Sequence, residues 1–366
     1  MDLDALIYYL ALQKADGVGA INAKKLLVHF GDAISVFKEK STTLSKIEGV
    51  GQRIIKGLKD KSLFKQAENE INFISNNHVD YRVITEANYP DKLKHCADAP
   101  IVLFAKGNIN LKNRKIISIV GTRNITGYGK EVLEKLIKNL VPFNPVIISG
   151  LAYGTDIFAH RLAVKHNLQT IGILAHGLDR LYPAIHQKTA HQMEINGGLL
   201  TEFWSKTNPD KENFVKRNRI IAGLSEATIV IESALKGGSL ITADMANSYN
   251  RDVFAIPGKL SDKYSKGCNN LIKTNRAALL SSVKDLTYLL NWDMETKPKP
   301  VQKQLFVKLN SEEAPIFNFL QAQGKQQLDQ IALHCKIPIN KTVTILFNLE
   351  LKGLVKPLPG KLYQVV

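Results

Sequence analysis

The chain has 366 residues, 45 % of them hydrophobic, and a formal net charge of +16. That length allows two or three domains, each with a core of its own. No run of about 18 apolar residues occurs, so no membrane span is expected. The acidic start, Met1-Asp2-Leu3-Asp4, lacks the basic n-region of a signal peptide. Cys96, Cys268 and Cys335 form no CxxC pair, which fits a reducing, cytoplasmic setting and offers no zinc site. The charge excess reads either as a Lys-rich proteome or as a polyanionic partner held through counterion release. Charge by itself does not separate DNA, RNA and an acidic surface.

Residues 1–75 are predicted to be helical. Two Gly-bearing turns, Asp16-Gly17-Val18-Gly19 and Glu48-Gly49-Val50-Gly51, each precede a segment of helical period, Ala23–Phe30 and Gln52–Leu58. This is a helix-hairpin-helix (SAM-like) pattern. Its glycines let backbone approach a phosphate at a helix N-terminus, or else they cap a plain helical turn.

Residues 80–290 alternate apolar strands with helical stretches. Strands are expected at Ile116–Val120, Val146–Ile148, Thr170–Leu174, Thr228–Ile231 and Val253–Ile256. Helices are expected at Glu131–Leu140, Asp156–His166 and Leu240–Tyr249. Such alternation predicts an α/β domain with a Rossmann-like parallel sheet covered on both faces. A proline- and charge-rich linker is expected over 291–304. Residues 305–366 read as three short helices, Ala314–Gln321, Gln327–His334 and Asn340–Lys352, with a terminal hairpin turning at Pro357-Leu358-Pro359-Gly360. That is the pattern of a winged-helix domain. Its last helix has few cations, so it suits a protein partner at least as well as DNA.

Four segments at strand ends carry the chemistry. Val120–Gly129 runs from strand to helix and contains Gly121, Thr122 and Arg123, whose guanidinium offers a forked donor to phosphate or a salt bridge at the sheet edge. It is neither GxGxxG nor a Walker A loop. Ser149–Asp156 contains Gly150, with Thr155 placed to cap the next helix. Asp156 and His160 lie four apart, as an acid/base pair or as a structural one. Pro209–Ile221 sets Lys211, Lys216, Arg217 and Arg219 around Phe214 and Asn218: cations for a backbone and an aromatic for a base, or else a solvated helix start. Lys236–Thr242 brings Gly238, Ser239 and Thr242 to another strand–helix junction, and Gly267 and Asn269 continue that small, polar character. Loops after successive parallel strands share one rim, so these segments are expected to form one phosphate-binding surface. No HExxH, GxSxG or zinc spacing occurs, so no catalytic residue, metal or cofactor is expected. His186 and His191 read as structural or surface residues, and Glu194 and Glu202 have no evident partner.

These blocks resemble the DNA-processing protein A family, also called DprA or Smf. The resemblance is carried by Val120–Gly129, Ser149–His160, Gly177-Leu178-Asp179 with Leu181-Tyr182-Pro183, Phe214–Ser225, Gly238–Ala243, and Ala255–Gly258 with Gly267–Lys273. Thr155, Val215 and His186 depart from the commonest residues of the pattern. The resemblance implies an extended Rossmann fold that binds single-stranded DNA and dimerises. It implies protection of incoming strands in natural transformation and loading of the RecA recombinase, without catalysis. By matching position, Arg123 would clamp a phosphate, and Phe214 would stack on a base or shape the pocket. Lys211, Arg217 and Arg219 would supply charge, Gly238 and Ser239 would donate hydrogen bonds, and Gly267 and Asn269 would close the rim. Two other readings stay open: a nucleotide-processing hydrolase with Asp244 as its carboxylate, and a scaffold with a vestigial pocket.

Overall fold

The computed structural model describes residues 3–292, 309–358 and 362–366. They form two compact units, one holding the described residues up to Trp292 and the other those from Leu309 onward. The first is built on a nine-stranded sheet: β1 (Asp80–Val83), β2 (Val102–Gly107), β3 (Ile116–Val120), β4 (Val146–Ser149), β5 (Thr170–Ile173), β6 (Gly197–Thr201), β7 (Ala227–Val230), β8 (Asp252–Ala255) and β9 (Ala278–Leu279). Their spatial order is β1-β2-β6-β5-β4-β3-β7-β8-β9. The run from β6 to β9 is parallel throughout, and β1 and β2 extend it antiparallel. The expected parallel α/β sheet is therefore present, with a two-stranded antiparallel extension that the strand–helix alternation does not announce.

The central strands are continuous runs of Ile and Val because both faces are covered. Successive side chains point to opposite faces. Ile117, Ile119, Ile147 and Ile229 pack with Leu133, Leu136 and Ile137 of the Gly127–Leu140 helix on one side. Ile116, Val120, Ile148 and Val230 share a core with Ile220, Ile221 and Leu224 of the Lys211–Leu224 helix on the other. From β3 the chain builds outward through β4, β5 and β6, then returns to place β7 against β3's free edge. The β3/β7 junction is thus where the winding reverses, and open α/β sheets bind ligands at that point, beyond the strands' carboxyl ends.

Strand β6 was not legible because it begins with two glycines at φ of 135° and 154°. A Cβ on Gly197 would collide with the Thr170 carbonyl oxygen, and one on Gly198 with that of Lys106. Close backbone approach, rather than β propensity, selects these residues.

The N-terminal helices, among them Leu3–Lys14, Gly19–Phe30, Gln52–Leu58 and Ser62–Asn76, share the core of the sheet's β1/β2 end. Gln13 fastens them there. Its Nε2 donates to the carbonyls of Val102 (3.3 Å) and Glu202 (3.1 Å), and its Oε1 accepts from Trp204 Nε1 (3.1 Å). Glu70 accepts from the Ser205 backbone (2.8 Å) and hydroxyl (2.5 Å). The two hairpins are also joined, by a bidentate Arg53–Asp16 pair at 2.8–2.9 Å.

The second unit packs helices Glu313–Gln323, Leu328–Cys335 and Ile339–Leu351 around Ile316, Leu320, Ile331, Leu346 and Leu349, against a sheet of order β10 (Gln326–Gln327), β12 (Leu362–Val365), β11 (Val355–Leu358). This is the expected winged helix. Pro357 and Leu358, read as turn residues, still pair with Tyr363 and Leu362 in β11. The rest of that turn, and the linker from residue 293, lie outside the described residues.

Gln13→Leu strips partners from the Trp204 indole and two carbonyls, at about 1–3 kcal/mol for a buried group left unpaired. The urea unfolding midpoint of the variant is expected to fall by an amount equivalent to about 2 kcal/mol.

Candidate nucleic-acid interface

Three loops meet at the carboxyl ends of β3, β4 and β7. The β3 loop ends in a helix cap: Thr126 Oγ1 accepts from the Gly129 N–H at 3.2 Å. The same threonine is anchored by Glu232, just past β7. Glu232 is 1 % exposed; its Oε2 accepts from Thr126 N (2.9 Å) and its Oε1 from Thr126 Oγ1 (2.6 Å). The β4 loop braces the β3 loop, with Thr155 N and Oγ1 both donating to the Thr122 carbonyl at 3.1 Å. Thr155 therefore does not cap its helix; the N-cap is Gly154 at φ 74°. A side chain on Gly154 would strike the Thr122 and Arg123 carbonyls. Asp156 closes the β4 loop by accepting from the N–H groups of Gly150 (3.2 Å) and Ala152 (3.4 Å).

Together the loops and the Lys211–Leu224 helix enclose a cleft of about 440 Å³. Of the residues read from sequence, Gly121, Thr122 and Arg123 line it on one side, Lys211, Phe214, Arg217 and Asn218 on another, and Gly238, Ser239 and Thr242 on a third. Arg123, Lys211 and Lys236 face solvent there, and none forms an ion pair with another described residue. Lys236 joins this lining from the first position of the Lys236–Thr242 segment, where the sequence pattern pointed only to the glycine and hydroxyl residues that follow. Gly238 begins an 11-residue helix with no side-chain cap and no acidic residue in its first turn, so its leading N–H groups have no acceptor within the helix.

Several sequence-based expectations change here. Arg217, although its side chain forms part of the lining, turns its donors inward: it is 4 % exposed, and its Nη1 donates to the carbonyls of Gly150 (2.6 Å) and Ile173. Burial pulls its pKa down to about 10, opposed chiefly by the Asp156 carboxylate. Arg219 points away from the cleft, donating to the Asp98 carbonyl and pairing with Glu202, which is the missing partner of that glutamate. Lys216 also lies outside this cleft, on the wall of a second cavity. Gly150 lies beneath the cleft rather than on its lining. A Cβ there would meet the Arg217 guanidinium. Gly267 and Asn269 act from behind, Gly267 N donating to Ser233 O (2.8 Å) and Asn269 bridging Gly258 N and O at 3.1 and 2.9 Å. Phe214 does not offer a bare ring. The guanidinium carbons of Arg123 and Arg217 lie 5.6 and 5.8 Å from its centroid, and Tyr182 meets it edge-on at 6.0 Å.

Asp156 and His160 share no hydrogen bond among the described residues. His160 Nδ1 is 2.7 Å from Thr170 Oγ1, and burial, with His186 and Arg217 nearby, lowers its pKa to about 3. His186 is buried, with Nδ1 2.9 Å from the Leu151 carbonyl, while His191 is exposed. Asp244 pairs with Arg276 and is not on the cleft lining. Among the described residues, no group of His, Cys, Asp and Glu is placed to hold a metal ion, and no helix is long and apolar enough to cross a membrane.

Comparison with known proteins gives concordant matches. The family model described as DNA recombination-mediator protein A matches residues 80–291, and one described as DprA winged helix domain matches 298–361. Protein Smf of Synechocystis is 31 % identical, over 98 % of each chain. DNA processing protein DprA of Bacillus subtilis is 45 % identical, over 54 % of this chain and 67 % of that protein. The solved structure of DNA processing protein A from Streptococcus pneumoniae superposes with a TM-score of 0.63 at 32 % identity, covering 77 % of this chain and 97 % of the other. The protein of the same name from Helicobacter pylori, whose structure was described for its single-stranded DNA binding mode, gives 0.52 at 29 % identity, covering 58 % and 97 %.

Two expectations follow from the buried network. Arg217→Met leaves two carbonyls without their donor and the buried Asp156 without its opposing charge, a loss of about 1–3 kcal/mol for each buried group left unsatisfied, to be read by urea unfolding. His160 contributes a pH dependence. Between its unfolded value of 6.5 and its folded value of about 3, the unfolded chain binds a proton that the native chain refuses. Its stabilising contribution is therefore complete above pH 6.5 and drains away as pH falls toward 3. His160→Gln is expected to flatten the pH dependence of unfolding in that window by up to about 1.4 kcal/mol per pH unit. Parallel profiles for the two proteins would show that the native imidazole ionises freely.

Proposed function

The chain belongs to the DNA recombination-mediator protein A (DprA/Smf) family, and from that premise we propose that it binds single-stranded DNA in the cleft at the β3/β7 junction. In this reading it protects incoming strands and loads the RecA recombinase onto them during natural transformation or homologous recombination. It works in the cytoplasm as a homodimer, and as a binding protein rather than an enzyme.

The observation that carries the proposal is the convergence of Arg123, Lys211 and Lys236 on one cleft whose carboxylate, Asp156, is committed to the Gly150 and Ala152 N–H groups and to opposing Arg217. Three uncommitted cations beside an open helix N-terminus are suited to successive phosphates. An Arg side chain adds a forked donor, and Arg123 is held in place by the Phe214 ring beneath it. Phe214 thus shapes the wall and orients Arg123, while the half-exposed Tyr182 at its edge extends the aromatic surface available to a base. The name and description of the Helicobacter pylori relative support the same reading. Hydrolase chemistry through Asp244 has no such support, because Arg276 holds that carboxylate away from the cleft.

Arg123→Glu combined with Lys211→Glu is expected to weaken binding of oligothymidine more than about tenfold at moderate salt, measured by fluorescence anisotropy, with circular dichroism unchanged. Undiminished affinity in the folded double variant would overturn the proposal.

A further inference from the structure

The helix-hairpin-helix turn singled out in the sequence has no part in the cleft just described, yet it borders a larger cavity. This second cavity, of about 700 Å³, lies between the Lys14–Asn22 hairpin and the sheet unit. Its far wall is the same Lys211–Leu224 helix. Lys211, Phe214 and Asn218 face the first cleft, and Asn213, Lys216 and Arg219 face the second. One helix, about 10–12 Å across with its side chains, is all that separates the two, a distance a few nucleotides cover.

The chemistry of the second cavity repeats that of the first. Its carboxylates are engaged: Glu202 with Arg219, and Asp98 with the Tyr249 hydroxyl at 2.7 Å. The charges left over are Lys14 and Lys216, both exposed and in no ion pair with a described residue. The Gly19–Phe30 helix opens into the cavity with no side-chain cap and no acidic residue in its first turn. Phe203 and half-exposed Ile21 supply an apolar surface, and Lys14 lies 5.3 Å from the centroid of Trp204. Glu202, on the cavity's lining, also has a buried oxygen, Oε1, without a hydrogen-bond partner among the described residues.

We infer that this cavity is a second subsite for the same single strand, which leaves the first cleft across the start of the Lys211–Leu224 helix and places phosphates at Lys14, Lys216 and the Gly19–Phe30 N-terminus. The inference rests on the single-strand reading of the first cleft. It assigns the hairpin a contact of its own with the strand and lengthens the footprint of one protein molecule.

The test is a series of oligothymidines of increasing length, bound to the full chain and followed by anisotropy over a range of salt. Lys14→Gln with Lys216→Gln is expected to leave the shortest binding oligomer unaffected and to weaken long ones about tenfold. It should also reduce their salt slope by about 0.7 for each phosphate that is no longer neutralised. Equal weakening of short and long oligomers would make the two lysines a diffuse electrostatic influence and overturn the inference. So would an unchanged long-strand affinity. If instead an oligoglutamate binds the wild type and loses affinity in the variant while DNA does not, the cavity is an acidic-peptide site and the inference fails. The Arg123→Glu, Lys211→Glu variant keeps the two proposals apart: it should lose short and long strands alike, and its failure to do so would remove the first reading rather than the second alone.

Discussion

A guanidinium with almost no solvent contact has to find acceptors and a counter-charge inside the protein, and Arg217 finds both at the ends of β4 and β5. Its donors bind the Gly150 carbonyl past β4 and the Ile173 carbonyl at the end of β5, while Asp156 supplies opposing charge. Asp156 in turn holds the Gly150 and Ala152 N–H groups, and the helix that Asp156 opens braces Thr122 through Thr155. Fixing this one cation therefore fixes the β4 loop, and through it the β3 loop that carries Arg123. Contacts made by a buried charge return little net stability against its desolvation. What these provide is geometry: they hold the loop beneath the cleft in a single arrangement.

The same arrangement explains why neighbouring cations behave so differently. Arg217 and Arg123 both lie over the Phe214 ring, one buried and bound to carbonyls, the other exposed and unpaired. The buried arginine has its donors spent on carbonyls, whereas the exposed one is positioned by the ring with its guanidinium open to solvent. Glu232 serves the β3 loop in a parallel way, since each of its carboxylate oxygens accepts a hydrogen bond from Thr126 and so anchors the loop from within the fold.

The sheet was largely legible because β3, β4, β5, β7 and β8 are buried on both faces and read as apolar runs. Strands β1, β2 and β6 were not, since β1 and β2 sit outside the strand–helix alternation and β6 is chosen by close approach at Gly197 and Gly198. Within the site, the loops are recognisable by their position after strands, but the cations of the Lys211–Leu224 helix look like one cluster when read in line. A helix separates such a cluster by angle. Arg217 lies three, four and seven residues before Ile220, Ile221 and Leu224, the spacing of the buried stripe, so its burial was readable from periodicity. The engagement of Arg219 by Glu202 was not, because that partner is supplied by the chain just beyond β6.

The net charge of +16 proves a poor guide to where a polyanion would sit. In the C-terminal unit, Lys341 and Lys352, on and just after the helix that a DNA-binding winged helix would present, are neutralised by Glu312 and Glu313 at 2.6 Å. That helix exposes Ile339, Val343, Phe347 and Leu351 at successive four-residue spacings, an apolar stripe rather than a basic one. A lysine already paired with a carboxylate must give up that pair before it can neutralise a phosphate and displace the polyanion's counterion, whereas Arg123, Lys211 and Lys236 need not. The quantity that locates an anion site is thus unpaired positive charge at a concave, backbone-rich rim. By that measure the β3/β7 junction is marked out over the C-terminal unit, even though both units are rich in lysine.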